Sequence, residues 1–138
     1  MKSKKRLIIK KEYNFFFSPF FVIPIPKKVG YVTYFFQWKD NVGIYTPLDK
    51  YRQLGDRAIP ELTCIFYEDL AEEKGIVLMR GEISARTLQI HEAQYLGNQT
   101  SIIYSDNYKY QSVETFNKRP EEFSFDAMLD EIISSKKN

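Results

Sequence analysis

The apolar residues of this chain follow one period in the first half and another after about residue 90, and that switch constrains the fold more than any other feature. In YVTYFFQW, Val32, Tyr34, Phe36 and Trp38 fall on one face at period two, with Tyr31, Thr33, Phe35 and Gln37 on the other. From 91 to 105, Ala93, Leu96, Gly97, Thr100, Ile103 and Tyr104 recur at spacings of three and four, a single helical stripe that leaves Gln94, Asn98, Ser101 and Ser105 on a different face. Strands followed by helices is the order of an α+β fold. The expectation is a single domain with a mainly antiparallel sheet of about five strands, because the short connections leave little room for parallel crossovers, packed against C-terminal helices.

Punctuation residues place the elements. Residues 20–25 read as a strand bounded by prolines, which suits a sheet edge because proline donates no ladder hydrogen bond. Lys39, Asp40 and Asn41 supply a turn, and 42–46 return as the hairpin partner. Pro47 opens a short helical segment that Gly55 stops. The run LTCIFY is apolar on both faces and reads as a central strand. EDLAEEK is a turn or helical link, and GIVLMRGEI forms another strand. After the long helix, Tyr110, Val113 and Phe116 suggest a second one ending near Asn117. Pro120, Glu121 and Glu122 start a fresh turn, and Phe125, Met128, Leu129 and Ile132 draw the last amphipathic helix. Gly97 inside a helix costs roughly 1 kcal/mol relative to alanine, which points to a close packing contact there.

Two glycines, Gly75 and Gly81, flank IVLMR and invite comparison with a phosphate loop. Such a loop requires Lys and then Ser or Thr after its second glycine, and this chain has Glu82 there, a carboxylate that repels phosphate. The β-prone, apolar run is better suited to a buried strand.

Charge is uneven. Lys2, Lys4, Lys5, Arg6, Lys10 and Lys11 precede the first acid, Glu12; the remaining 14 of the 20 basic residues face 18 acidic ones. The body is therefore mildly acidic, which argues against a nucleic-acid-binding surface on the fold. Residues 1–12 read as a disordered basic arm, which could be a solvated tail, the remains of a targeting segment or a weak anion-binding element; residues 13–135 read as the domain and 136–138 as a tail. FFFSPFFVIPIP is too short and too proline-rich for a membrane span, which needs roughly 20 apolar residues.

Candidate chemistry is sparse. The single cysteine, Cys64, lies in an apolar run and reads as a small buried hydrophobe; it excludes an intramolecular disulfide and a multi-cysteine zinc site. His91 is the only histidine, and a Cys64–His91 pair would have to join a buried strand to a helix start. The adjacent acids Glu72/Glu73 and Glu121/Glu122 read as solvated. No nucleophile elbow, dinucleotide fingerprint or metal-ligand set is present, so recognition rather than catalysis, with no cofactor and no metal, is the expectation. The alternatives are a generic protein-interaction module and a small ligand-binding domain or enzyme with a polar pocket at His91.

Several segments together, PFFVIPIP, the aromatic strand ending in QW, EEKGIVLM with Glu82 beyond it, HEAQYLGNQ and VETFNKRPEEF, resemble the mitochondrial assembly factors that chaperone the free beta subunit of the catalytic head of ATP synthase. In order they span roughly residues 19–131. The resemblance implies a non-enzymatic, ATP-independent chaperone of the mitochondrial matrix, a monomer that binds unassembled beta subunit, prevents its aggregation and yields it to the alpha subunit. Members of that family carry a longer N-terminal region with a cleavable presequence, where this chain has a short Lys-rich arm, and Gly97 stands where alanine is expected. Positions matching the motifs, and so the candidate partner-binding residues, are Trp38, Met79, Glu82, Glu92, Gln94, Asn98, Gln99, Glu114, Phe116 and Asn117. Each has a structural alternative: core packing for Trp38, Met79 and Phe116, and bonds to neighbouring loops for Gln94 and Asn98.

Overall fold

The computed structural model describes residues 2–7, 19–67, 77–84 and 87–137. Six strands form one antiparallel sheet: β1 (Lys2–Leu7), β2 (Phe20–Pro26), β3 (Tyr31–Lys39), β4 (Val42–Pro47), β5 (Leu62–Tyr67) and β6 (Val77–Ile83), in the spatial order β1-β6-β5-β4-β3-β2. Strands β2 to β6 are the five expected, laid side by side as a meander. The sixth corrects the expectation of a disordered arm: Lys2–Leu7 pairs with Val77–Ile83 from Lys2↔Glu82 to Leu7↔Val77. Strand pairing uses the backbone alone, so a lysine-rich sequence can supply it. The acidic link, residues 68–74, lies outside the described residues, as do Gly75 and Ile76.

The hairpin between β3 and β4 closes through Asp40 and Asn41, with Asp40 at φ 54°, a left-handed conformation that aspartate tolerates better than most residues. β2 stands at the opposite edge from β1, as its prolines require. Trp38 N–H donates to the Pro19 carbonyl at 2.8 Å, and with the register Phe21↔Phe36 this makes the pairs at Phe21, Ile23 and Ile25 the hydrogen-bonded ones. Phe20, Val22, Pro24 and Pro26 therefore turn their backbone groups toward the open edge, where two of the four have no N–H to offer.

Helix α1 (Leu48–Leu54) follows Pro47 and ends at Gly55, whose φ of 60° no β-carbon favours. Its Tyr51 packs on Phe35 with ring centroids 4.3 Å apart, on the sheet face opposite Phe36 and Trp38. The other face carries α2 (Ile90–Ser105), α3 (Asn107–Lys118), a 3-10 turn (Pro120–Glu122) and α4 (Phe125–Lys137). The predicted stripe of α2 is the buried one: Ala93, Leu96, Gly97, Thr100, Ile103 and Tyr104 all face the core, while Gln94 is exposed. They meet Phe21, Ile23, Phe36, Trp38, Tyr45, Leu62 and Cys64 from the strands. Side chains of this size each contribute about 1.5–3 kcal/mol on full burial, so the sheet face and α2 form the stabilising centre.

Two polar clusters in and beside this core are hydrogen-bonded. The Tyr45 hydroxyl lies 2.6 Å from Thr100 Oγ1, and Thr100 Oγ1 donates to the Leu96 carbonyl at 2.9 Å. Next to the start of α1, the Tyr34 hydroxyl donates to buried Glu61 at 2.8 Å and Lys50 reaches the other Glu61 oxygen at 3.3 Å, so one carboxylate fastens the helix to the sheet.

Candidate functional site

The N-terminal turn of α2 is built by reciprocal capping. The Glu92 carboxylate accepts from the Gln89 N–H at 3.0 Å while the Glu92 N–H donates to the Gln89 carbonyl at 3.1 Å, a pattern that satisfies orphan donors at the helix start. Glu92 is buried and also pairs with Lys27, which ties the β2–β3 turn to this helix end. That turn closes with Lys27 N–H donating to the Gly30 carbonyl at 3.0 Å, and Gly30 sits at φ 76°.

Beside this junction opens a groove of about 1140 Å³. It is lined by Phe21, Ile25 and Pro26 of β2, Tyr95 and Ile103 of α2, Tyr108, Lys109 and Ser112 of α3, and Met128 and Ile132 of α4. Its lining carries both signs of charge: Lys27 and Lys28 from the turn and Lys109 from α3, with Glu92 from α2 and Asp130 and Glu131 from α4. Tyr108 spans the two helices, its hydroxyl donating to Glu131 at 3.2 Å, and Tyr31 meets Phe125 with centroids 5.8 Å apart.

Of the residues singled out from sequence, Glu92 and Gln99 line this groove. Phe116 and Asn117 stand behind it, at the β2 edge. Phe116 packs edge-on against Phe21 and Phe123, with centroids at 5.7 and 5.2 Å. Asn117 clasps the strand: its Oδ1 accepts from Phe20 N–H at 3.0 Å, and its Nδ2 donates to the Phe20 carbonyl at 2.6 Å and the Val113 carbonyl at 2.8 Å. The side-chain amide occupies the place of a neighbouring strand. Trp38 is a core residue, edge-on to Phe36 and Tyr104 at 5.1 and 5.8 Å. Glu82 lies on β6 near Arg80 at 3.7 Å, and Glu114 pairs with Lys118 one turn on at 3.7 Å. Gln94 is exposed on α2 and Asn98 half-buried. The Met79 backbone pairs with Phe66 of β5, and its side chain lies outside the described residues. The ten candidates thus do not form one patch.

Cys64 is buried in the sheet, and burial pushes its thiol up to about 12, so the thiolate a nucleophile needs does not form at neutral pH. His91 is exposed at the groove mouth. Sequence reasoning missed the groove residues Lys27, Lys28, Tyr95, Tyr108 and Lys109. The one available signal was the stripe on α4, whose Met128 and Ile132 are only half-buried and whose remaining surface faces the groove.

A family model described as ATP11 protein matches residues 13–129. The chain is 37% identical over 119 residues to ATP synthase mitochondrial F1 complex assembly factor 1 of Mus musculus, covering 85% of this chain and 37% of that protein. The protein of the same name from Homo sapiens is 36% identical over the same share of this chain and 36% of its own length. Protein atp11, mitochondrial, of Schizosaccharomyces pombe is 32% identical over 84 residues, 56% of this chain and 29% of that protein. The chain thus spans a little over a third of the mouse and human relatives.

Proposed function

The chain belongs to the ATP11 protein family, and on that premise we propose that it is an assembly chaperone of the mitochondrial F1 complex of ATP synthase, acting in the matrix. It holds the unassembled beta subunit, keeps it from aggregating and releases it to the alpha subunit. The observation that carries the reading is the family match across residues 13–129, joined to relatives whose name is F1 complex assembly factor 1.

The physical logic supports it. A subunit destined for a ring carries a large apolar interface, and such a surface aggregates until covered. A chaperone for it needs an apolar binding surface with a polar rim, so that it binds and also lets go. The groove has that character. The role asks for no catalytic residue, no cofactor and no nucleotide hydrolysis, and a monomer suffices.

The test is direct. Purified beta subunit is mixed with this protein without nucleotide and resolved by size-exclusion chromatography. A complex that added alpha subunit dissolves is the expected result; no complex, or one that needs ATP hydrolysis by this chain, overturns the reading. A second reading, a small-ligand domain using His91, draws on the position of His91 at the groove mouth. It predicts a small-molecule activity that His91→Ala abolishes, and no complex between wild type and beta subunit.

A further inference from the structure

The backbone chemistry beside the groove decides what conformation its occupant has. β2 is the only strand that borders the groove among the described residues, and its open edge is almost spent. Both outward groups of Phe20 are held by Asn117, and Pro24 and Pro26 present carbonyls without N–H groups, which leaves Val22 as the single outward donor. An extended segment lying here brings an N–H and a C=O for every residue and finds a ladder for almost none of them, against an apolar lining of Ile25, Ile103 and Met128. A helix arrives with its backbone already paired. The volume, about 1140 Å³, also exceeds the usual small-ligand range of about 300–1,000 Å³ and suits one face of a short helix about 10–12 Å across.

We propose that the groove bounded by the end of β2, α2, α3 and α4 is the docking site for one amphipathic helix of the orphan F1 subunit, its apolar stripe seated on Ile25, Ile103, Met128 and Ile132. Charge orients the helix. Lys28 from the turn and Lys109 from α3, with Asp130 from α4, call for both acidic and basic residues beside the stripe, the acids nearest the turn and α3 and the bases nearest α4. This inference rests on the proposed function and names the surface and the conformation through which it acts.

The test uses the full chain and purified beta subunit. Ile132→Glu places a charge on the groove wall. Ser112→Cys, labelled after folding with a bulky maleimide, fills the groove without a folding requirement, and buried Cys64 stays unlabelled. Ile59→Glu, at an apolar residue 77% exposed and outside the groove, controls for general loss of surface hydrophobicity. With thermal unfolding confirming each fold, both groove changes weaken binding at least about 10-fold and Ile59→Glu leaves it unchanged. Synthetic peptides tiling the beta subunit then compete for the groove, and the competing peptide gains helical circular dichroism on binding. If wild type binds and both groove variants bind equally well, the groove assignment is overturned while the chaperone reading stands. A competing peptide that stays extended, or a groove that binds a fatty acid and no peptide, also overturns it. If wild type does not bind beta subunit at all, both readings fall together.

Discussion

Replacing Asn117 separates a structural clasp from a recognition residue, and its outcome runs against chemical similarity. Asn117→Ala removes the two bonds to Phe20 and the bond to Val113, but Phe20 is 41% exposed, so water takes over much of what the edge loses. The expected loss is about 1 kcal/mol. Asn117→Asp keeps the shape and the acceptor for Phe20 N–H but removes both donors, and sets an anionic oxygen against carbonyls that were 2.6 and 2.8 Å from the amide nitrogen. It does so in the last turn of α3, where the helix end is already negative. The lost bonds at about 1 kcal/mol, the anion held against two carbonyls at about 1 kcal/mol and the helix end at about 0.5 kcal/mol give about 2–3 kcal/mol. Urea unfolding followed by the fluorescence of Trp38, the sole and buried tryptophan, reads the difference. The carbonyls raise the folded-state pKa of the introduced carboxyl above its unfolded value of about 3.9. The deficit is therefore full at pH 7 and shrinks as pH falls through that raised value. An Asn117→Asp variant as stable as Asn117→Ala, or a gap that does not narrow in acid, refutes the clasp.

Three further outcomes follow from the core. Tyr45→Phe and Thr100→Val each destabilise by about 1–2 kcal/mol, while the double variant loses less than their sum, since the two hydroxyls share one buried bond; additive losses contradict that bond. Cys64, with its thiol pushed up to about 12, resists a thiol reagent at pH 8 in the folded chain and reacts at the rate of a free thiol in urea. Burial raises the hydroxyls of Tyr34, Tyr45 and Tyr104 above the ordinary 10.0, with Glu61 adding to the rise at Tyr34. That stability is present below pH about 10 and is lost as pH rises beyond it, so spectrophotometric titration shows late-ionising tyrosines whose release coincides with alkaline unfolding.

Much of the fold is legible because local chemistry and tertiary need agree. Prolines at 24 and 26 place β2 at an edge, Asp40 and Asn41 close a hairpin, and the stripe from Ala93 to Tyr104 is the buried face of α2. Disagreement begins where a backbone or a distant partner overrides side-chain character. Lys2–Leu7 reads as a solvated arm because its side chains carry no apolar period, yet strand pairing uses only the backbone. Glu61, Glu92 and Gln37 are buried although their types favour water; for the two glutamates the compensation comes from Tyr34, Lys50 and Lys27, which no local pattern pairs with them. The groove is the extreme case. Its residues come from β2, α2, α3 and α4, and each segment alone reads as an ordinary half-buried element. The resemblance to an assembly-factor family points to Glu92 and Gln99, which line the groove, and to Phe116 and Asn117, which contact Phe21, Phe123 and Phe20.

The central claim is that this chain shields the apolar interface of an orphan subunit without chemistry of its own. Light scattering during dilution of denatured beta subunit tests it most directly. With an equimolar amount of this protein and no nucleotide, scattering stays near baseline until the partner subunit is added and assembly proceeds. Aggregation at the same rate and amplitude with and without the protein contradicts the account.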